Sequence, residues 1–457
     1  MRSINTVIGQ LRSGRLRYET LLQETLDKAA TAKSAGDCSY VELFAAPKLL
    51  EAARAWQARA DADRSLPALA GLPVSVKDLF DVEGSVTAAG SALLRSAPPA
   101  NGDAAAVQRL REAGAIIVGR TNMSEFAYSG LGVNPHYGTP TNPVGAGRIA
   151  GGSSSGAAVA VARGLCAASL ATDTGGSIRI PAALCGIAGF KPTAQAVSRD
   201  GVLPLSRSLD SVGPIASTAE CCSIVHQVLT GGEPDTSTLR LDTLRLAVVT
   251  DYLLDELDPM VSRAFDRALA LLTAAGASVE TVAFPELNAI RAGGYNAKIV
   301  AAEAFAFHRS WLASHAHLYD PRVHTRLLAG KDLPAADYLD ALDARAELIN
   351  AARRRLAAFD AWLMPTVAIV APKIGDLDDD NAFFRANAAM LRNPSVVNLL
   401  DGCALTLPIP SDNPLPQGLS VCGLGGADAD VLAIGRSIEA DWRRNSRGTD
   451  LCDPIVA

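Results

Sequence analysis

Lysine is scarce in this sequence, and a surplus of positive charge is absent. Only eight of its 42 basic residues are lysine. Each lysine is therefore worth inspecting, because the composition otherwise prefers arginine. The formal net charge is -6 at pH 7, which leaves no basic surplus to attract nucleic acid or an anionic membrane surface. We therefore expect neither nucleic acid nor a membrane as a partner.

Paired cysteines and long apolar runs are also missing. The eight cysteines are scattered and none forms a Cys-x-x-Cys pair, so a zinc site and a disulfide framework are both poorly supported. The longest apolar run, residues 157–171, is interrupted by Arg163 and Gly164 and is too short to cross a bilayer. The N-terminus has no signal-peptide apolar region. These observations predict a cytoplasmic protein with free thiols and no metal.

The pattern of apolar residues changes along the chain. Its 457 residues, 49% hydrophobic and 20% charged, are ordinary for a packed enzyme. Residues 1–62 have helical spacing. From residue 72 to about residue 218, short apolar segments alternate with helical stretches such as 104–113, and this alternation indicates a layered α/β sheet.

The second half repeats this alternation with longer helices. Residues 230–238 read as a surface linker. A strand is predicted at 244–249, a helix at 259–275, a strongly helical region at 295–360 and a last helix at 431–439. Residues 361–374 and 405–422 read as strand and loop.

Three short segments contain the residue types that catalysis requires. They are a Gly/Ser run at 151–156, the run TDTGGSIR at 172–179, and VSVKD at 74–78, where Lys77 ends an apolar strand. Each alone has an ordinary structural interpretation. A Gly/Ser run before a helix is usually a turn with an N-cap, a Gly pair is often only a turn, and a lysine at a strand end is usually solvated.

Two familiar motifs occur in the sequence, but the residues around them do not fit the structures that these motifs require. Residues 152–156 satisfy G-x-S-x-G, but a loop-like segment precedes them and no histidine lies in a suitable setting for a base. Residues 145–150 satisfy G-x-G-x-x-A, but no strand precedes them and Pro143 stands where one would end. We reject a nucleophile elbow and a dinucleotide site on these grounds.

Several segments together resemble the amidase signature family. The resemblance covers nearly the whole chain, is strongest from about 71 to 218, and continues weakly at 362–372 and 398–410. Because the segments occur in the right order, it is far more specific than any single motif. The strongest segments are GLPVSVKDLFDVEG (71–84), GRTNMSEFAYSG (119–130), HYGTPTNP (136–143), AGGSSSGAAVAVA (150–162) and ATDTGGSIRIPAALCGIAGFKPT (171–193).

The resemblance implies a Ser–Ser–Lys triad. By position, Ser177 is the acyl-accepting nucleophile, Ser153 is the bridging serine next to a cis peptide, and Lys77 is the base. The chain departs from many members at position 155, where it has serine instead of glycine, but that position is outside the triad. A lysine acts as a base only when neutral, so burial must lower its pKa from roughly 10.

The resemblance also implies supporting residues. The oxyanion donors are the backbone N–H groups of Thr174, Gly175 and Gly176, together with that of Ser177. Supporting roles are expected for Ser154, Asp173 and Arg179, the last two bracing the oxyanion loop through polar contacts. Contacts with substrate are expected from Met123, Tyr128 and Ser129.

The expected fold is one large α/β/α domain, a mixed twisted β-sheet covered by helices on both faces. Residues 1–62 are expected to form a helical segment that packs on the core, and 63–457 the amidase catalytic domain. Within it, the signature core spans about 71–218, 230–238 is a surface linker, and 239–457 completes the sheet and adds a helical substrate-pocket region.

The expected function is hydrolysis of a small carboxamide or ureide through an acyl-enzyme, with no cofactor. We expect a homodimer, and a further partner could be a small accessory protein. The alternative is the A subunit of an aspartyl/glutamyl-tRNA amidotransferase, a glutaminase that feeds ammonia to a partner subunit. The stretch LLDGCALTLPIP (399–410) favours a stand-alone amidase. The intact triad argues against a non-catalytic binding subunit.

Overall fold

A computed structural model describes residues 3–62, 64–232, 235, 237–411 and 413–445. Within these residues, eleven strands form a single sheet. The strands are β1 (Tyr40–Leu43), β2 (Pro73–Lys77), β3 (Ile116–Thr121), β4 (Ala168–Asp173), β5 (Ala188–Lys191), β6 (Ser211–Ala216), β7 (Arg245–Val249), β8 (Ser278–Val282), β9 (Ala361–Pro365), β10 (Cys403–Pro408) and β11 (Gly418–Gly423). Their order across the sheet is β1-β3-β2-β4-β6-β5-β10-β11-β9-β7-β8.

The sheet is mixed, as predicted. Strand β2 is parallel to β3 and β4, and β7 is parallel to β8 and β9. The remaining neighbours are antiparallel. The interior strands are buried on both faces, so their sequences show no alternation of polar and apolar residues.

Helices cover both faces of this sheet, which confirms the predicted α/β fold. One group, α5 and α6 with α13, packs around the signature segments, and a second group comprises α4, α7 and α14. The helices are α1 (Ile4–Arg12), α2 (Tyr18–Ser34), α3 (Ala46–Asp61), α4 (Ala105–Glu112), α5 (Ser155–Ala162), α6 (Arg179–Cys185), α7 (Ala219–Thr230), α8 (Pro259–Ala274), α9 (Asn288–Gly293), α10 (Tyr295–His315), α11 (Pro321–Leu328), α12 (Ala335–Leu356), α13 (Asp380–Leu399) and α14 (Asp428–Asn445).

Helix α5 shows why the signature is rich in small residues. All eight of its residues, Ser-Gly-Ala-Ala-Val-Ala-Val-Ala, are buried against the sheet. A Cβ atom on Gly156 would lie 2.2 Å from the carbonyl oxygen of Ser39, a separation that no packed structure tolerates. The small side chains therefore allow the helix to approach the sheet closely enough to hold the preceding loop in place.

Two elements illustrate where the structure differs from the sequence expectation. The N-terminal segment contains a strand, β1, which pairs antiparallel with β3 at the edge of the sheet. With four residues, β1 is too short to produce a recognisable period. Helix α13 was not predicted either, and it has Pro394 in its interior, a residue that argues against a helix in sequence.

The predicted linker at 230–238 falls partly outside the described residues, since positions 233, 234 and 236 are not among them. Helix α7 ends at Thr230, where the linker was predicted to begin, and Gly231 follows with a left-handed backbone conformation. In the part of the chain that the structure describes, no helix combines the length and apolar character needed to span a membrane.

Candidate active site

Lys77 is the last residue of the fully buried strand β2. Its side chain has no exposure to solvent. The Nζ atom lies 2.7 Å from Ser153 Oγ and 2.9 Å from Thr172 Oγ1, with a hydrogen bond to each hydroxyl. Strands β2 and β4 are parallel neighbours, so Lys77 and the end of β4 meet at the same edge of the sheet.

Burial lowers the pKa of Lys77 from 10.5 to about 7. The nearby carboxylates of Asp173 and Asp210 oppose this shift, but desolvation is the larger effect. A lysine with this pKa is partly neutral at physiological pH, and a neutral amine can accept a proton.

Ser153 lies in the loop that precedes α5. The Gly152–Ser153 peptide bond is cis. The loop is anchored on both sides, because Gly152 N–H donates to the carbonyl of Gly130 at 2.8 Å and Ser124 N–H donates to the carbonyl of Ser153 at 3.0 Å. These contacts aim the Ser153 hydroxyl at Lys77.

Ser177 lies in the turn between β4 and α6 and lines a cavity. The turn meets the Ser153 loop through the backbone, since Ser154 N–H donates to the Ser177 carbonyl at 3.3 Å. Ser154 Oγ donates to the carbonyl of Thr172 at 3.4 Å. Among the described residues, the hydroxyls of Ser153 and Ser177 form no hydrogen bond with each other. The structure thus joins Lys77 to Ser153 directly and brings Ser177 to the same loop through the main chain.

Asp173 organises the turn around Ser177. Its carboxylate accepts hydrogen bonds from the backbone N–H groups of Gly176 at 2.8 Å and Ile178 at 3.1 Å. It also accepts two from the Arg179 guanidinium, at 2.9 and 3.0 Å. Burial alone would raise the pKa of Asp173, but Arg179, Lys191 and the amide of Asn398 lower it to about 2. Asp173 is therefore ionised at neutral pH.

One of the predicted oxyanion donors forms a hydrogen bond within the turn. The N–H of Gly176 is already engaged by that carboxylate. Within the described part of the chain, the N–H groups of Gly175 and Ser177 have no acceptor. The side chain of Thr174 donates to Asp210 at 2.5 Å. That contact uses the Thr174 hydroxyl, so the backbone N–H of Thr174 remains available together with those of Gly175 and Ser177, whereas the N–H of Gly176 is engaged by Asp173.

The cavity beside Ser177 has a volume of about 360 Å³. Of the predicted substrate contacts, Tyr128 and Ser129 line it. Met123 does not: it is fully buried in the main hydrophobic core. An apolar residue in a signature segment packs in the core more often than it faces a ligand, and its sequence neighbours do not distinguish these cases.

The polar residues of the cavity that the sequence analysis did not predict include two from α13 and one from α11. Asn387 and Arg392 come from α13, the unpredicted helix, and Arg326 comes from α11. Asn387 Oδ1 accepts from the backbone N–H of Gly130 at 2.9 Å and from Ser129 Oγ at 3.2 Å. These residues lie far from the signature segments in sequence, and only the tertiary fold brings them together.

The described residues contain no cluster of three or more His, Cys, Asp or Glu side chains arranged to hold a metal ion. The mixed sheet, the buried Lys77–Ser153 pair and the neighbouring cavity match a class of hydrolase that cleaves amide C–N bonds. The family model described as Amidase matches residues 20–432. The chain belongs to the amidase family.

Three relatives illustrate the range of the family. A 2-amino-5-chloromuconic acid deaminase from Comamonas testosteroni is 35% identical, with 83% of each chain covered. A 1-carboxybiuret hydrolase subunit from Pseudomonas sp. (strain ADP) is 38% identical over 70% of this chain and 74% of the relative. The A subunit of a glutamyl-tRNA(Gln) amidotransferase from Acidobacterium capsulatum is 33% identical over 95% of this chain and 98% of the relative.

A solved structure supports the same assignment. A crystal structure of an amidase superposes with a TM-score of 0.87 at 35% identity, covering 96% of this chain and 99% of the other. The superposition thus spans the strands of the second half as well as the signature segments.

Proposed function

We propose that this amidase hydrolyses a small carboxamide or ureide to a carboxylate and ammonia or an amine, through an acyl-enzyme on Ser177. The observation that carries this proposal is the buried Lys77 amine, with a pKa lowered to about 7 and Nζ 2.7 Å from Ser153 Oγ. Such an amine is a base at neutral pH, and the serine beside it can relay a proton.

In the first step, Ser177 Oγ forms a bond to the substrate carbonyl carbon. Its proton passes to Ser153, whose own proton passes to Lys77 Nζ. Catalytic hydrogen bonds often form only in the substrate complex, and we expect the Ser153–Ser177 bond to form there. The oxyanion that develops accepts hydrogen bonds from the free N–H groups of Gly175 and Ser177, each worth roughly 3 kcal/mol in the transition state.

In the second step, the C–N bond breaks as the leaving nitrogen takes a proton from Ser153, which Lys77 resupplies. Water then attacks the acyl carbon while the same relay removes its proton. Ser177 is released with its hydroxyl restored, and the product is a carboxylate. The residues named here supply all the proton transfers, so the scheme requires no cofactor.

The test is ammonia release from a panel of small carboxamides and ureides. A ureide belongs in the panel because one relative is named as a hydrolase of 1-carboxybiuret. Turnover of at least one compound, lost in Ser177→Ala, supports the proposal. Turnover that survives in a folded Ser177→Ala variant contradicts it.

A second candidate is the A subunit of a tRNA-dependent amidotransferase. It is favoured by the 33% identity to one such protein over 95% of this chain. In that role the site would hydrolyse glutamine and pass the ammonia to a partner subunit. Glutamine turnover that requires the other amidotransferase subunits would favour this candidate, whereas turnover of other amides by the chain alone favours the stand-alone enzyme.

A further inference from the structure

The cavity beside Ser177 contains an arginine whose hydrogen bonds are incomplete. Arg392, on α13, lines the cavity. Its Nε donates to Asn393 Oδ1 at 3.0 Å, but its Nη2 is buried and has no hydrogen-bond partner. Among the described residues Arg392 forms no salt bridge. A buried N–H without an acceptor is costly, and Arg392 carries one on a side chain that lines the cavity.

The second arginine of the cavity is engaged differently. Arg326 donates from Nη1 to the carbonyl of Tyr128 at 2.5 Å, and its guanidinium lies 4.1 Å from the centroid of the Tyr128 ring. Stacking and hydrogen bonding hold this side chain in place. Arg326 therefore contributes charge and shape to the cavity wall, whereas Arg392 retains free donors.

The residues that line the cavity include no aspartate or glutamate. Burial lowers the pKa of Arg392, and the nearby Tyr252, Asp255 and Glu256 oppose this shift. Asp255 already pairs with Arg291 at 2.6 Å. An arginine remains charged under these conditions, so the cavity presents two guanidinium groups that no lining carboxylate neutralises.

We propose that Arg392 binds a carboxylate of the substrate, so that the enzyme selects anionic amides or ureides. This inference rests on the proposed amidase function. A guanidinium fits a carboxylate with two parallel hydrogen bonds, and such an ion would satisfy the partnerless Nη2. The substrate class is then a monoamide of a dicarboxylic acid or a carboxylated ureide.

The test compares charged amides with uncharged amides of the same shape. Malonamate is paired with isovaleramide, and succinamate with 4-methylpentanamide. We expect the wild-type kcat/KM to favour at least one acid over its neutral counterpart by about tenfold or more, because a hydrogen bond to a charged group is worth roughly 1.5–3 kcal/mol, or about 10- to 150-fold. In Arg392→Gln this preference should be lost, mainly through a higher KM for the acid. Arg392→Lys keeps the positive charge but cannot donate two parallel hydrogen bonds, so its preference for the acid should be intermediate.

The matched control is Arg385→Gln on the same helix. Arg385 is exposed and is not among the residues that line the cavity, so its loss removes an equal charge without touching the site. We expect the wild-type preference to persist there. Turnover with no preference for either acid, or an equal loss of charged and neutral substrates in Arg392→Gln, would overturn the inference and leave the amidase function standing.

A binding measurement separates this inference from turnover. Titration calorimetry of malonamate and succinamate is performed on Ser177→Ala, with and without Arg392→Gln. Binding of either acid that weakens about tenfold or more without Arg392 supports the inference, even if neither pair is hydrolysed. Absence of binding of both acids to Ser177→Ala, or binding that is indifferent to Arg392, overturns it.

Discussion

Asp173 and Arg179 form a fully buried, bidentate ion pair that closes the turn carrying Ser177. The Arg179 Nη2 and Nε atoms lie 2.9 and 3.0 Å from the two carboxylate oxygens of Asp173. Asp173 ends β4 and Arg179 begins α6, so the pair joins the last residue of a strand to the first residue of a helix. Ser177, the proposed nucleophile, therefore sits in a turn held at both ends.

Removing one member of this pair should damage both the fold and the activity. A carboxylate or guanidinium left without its partner in the interior costs about 3–5 kcal/mol. The turn also loses the side-chain hydrogen bonds that join its two ends. We expect Arg179→Gln to lower the free energy of unfolding by about that amount in urea denaturation. We also expect the rate of ammonia release to fall.

The control for this prediction is Arg240→Gln, which breaks the ion pair with Asp242. Arg240 is 80% exposed and its partner 46% exposed, so solvent screens the pair and the substitution should leave the free energy of unfolding nearly unchanged. Equal destabilisation by the two substitutions would contradict the bracing role of the buried pair.

Two adjacent glycines provide a sharper pair of variants. Gly176 has φ of 128°, and a Cβ there would lie 2.6 Å from Pro394 Cγ. Gly175 has ordinary backbone angles, and its Cβ would come no closer than 3.6 Å to another side chain. Gly176→Ala should therefore lose stability and most activity, whereas Gly175→Ala should fold and mainly raise KM, because its methyl group enters the cavity.

Thermal denaturation and steady-state kinetics distinguish these outcomes. A stable, active Gly176→Ala enzyme would show that the turn does not need its left-handed conformation.

The pH dependence of activity should follow Lys77. Because burial lowers its pKa to about 7, the amine is protonated and unable to act as a base below that value. We expect kcat/KM to rise with pH through about 7 and then to level off. Lys77→Arg should be inactive at every pH, since arginine does not deprotonate in proteins.

The measurement is a kcat/KM profile from about pH 5 to about pH 9 on a neutral amide, so that the substrate itself does not titrate. Activity that stays constant across this range would mean that Lys77 does not act as the base, and an active Lys77→Arg enzyme would mean that the site needs only a positive charge.

Chelators should leave the activity unchanged. The proposed chemistry uses the hydroxyls of Ser177 and Ser153 with the amine of Lys77, and it assigns no step to a metal ion. Activity after dialysis against EDTA is the measurement. Loss of activity that added zinc restores would overturn the serine mechanism.

The sequence predicted the centre of the site better than its walls. Lys77 stands at the end of a short apolar segment, and Ser177 follows a Gly pair beside a strand, so local pattern and family resemblance both point to the elements that carry them. The end of β2 could be expected for the same reason. Short apolar runs bounded by Gly, Ser and Pro are typical of strands, so the local sequence alone predicts them.

The walls of the cavity depend on contacts distant in sequence. Arg392 lies more than two hundred residues after Ser177. It belongs to a helix that is hard to predict because Pro394 lies in its interior. Met123 was expected at the substrate because it lies in a signature segment, yet it packs in the core. The engagement of the Gly176 N–H by Asp173 depends on backbone direction inside one turn, and residue types do not encode that direction.

Labelling with a fluorophosphonate tests most directly whether Ser177 forms the covalent intermediate. We expect peptide mass spectrometry of the inactivated enzyme to find one phosphonyl group, on Ser177. The label should be absent from Ser177→Ala and strongly reduced in Lys77→Arg, where no neutral amine activates the serine. Inactivation with the label on another residue, or undiminished labelling of Lys77→Arg, would contradict the roles assigned to Ser177 and Lys77.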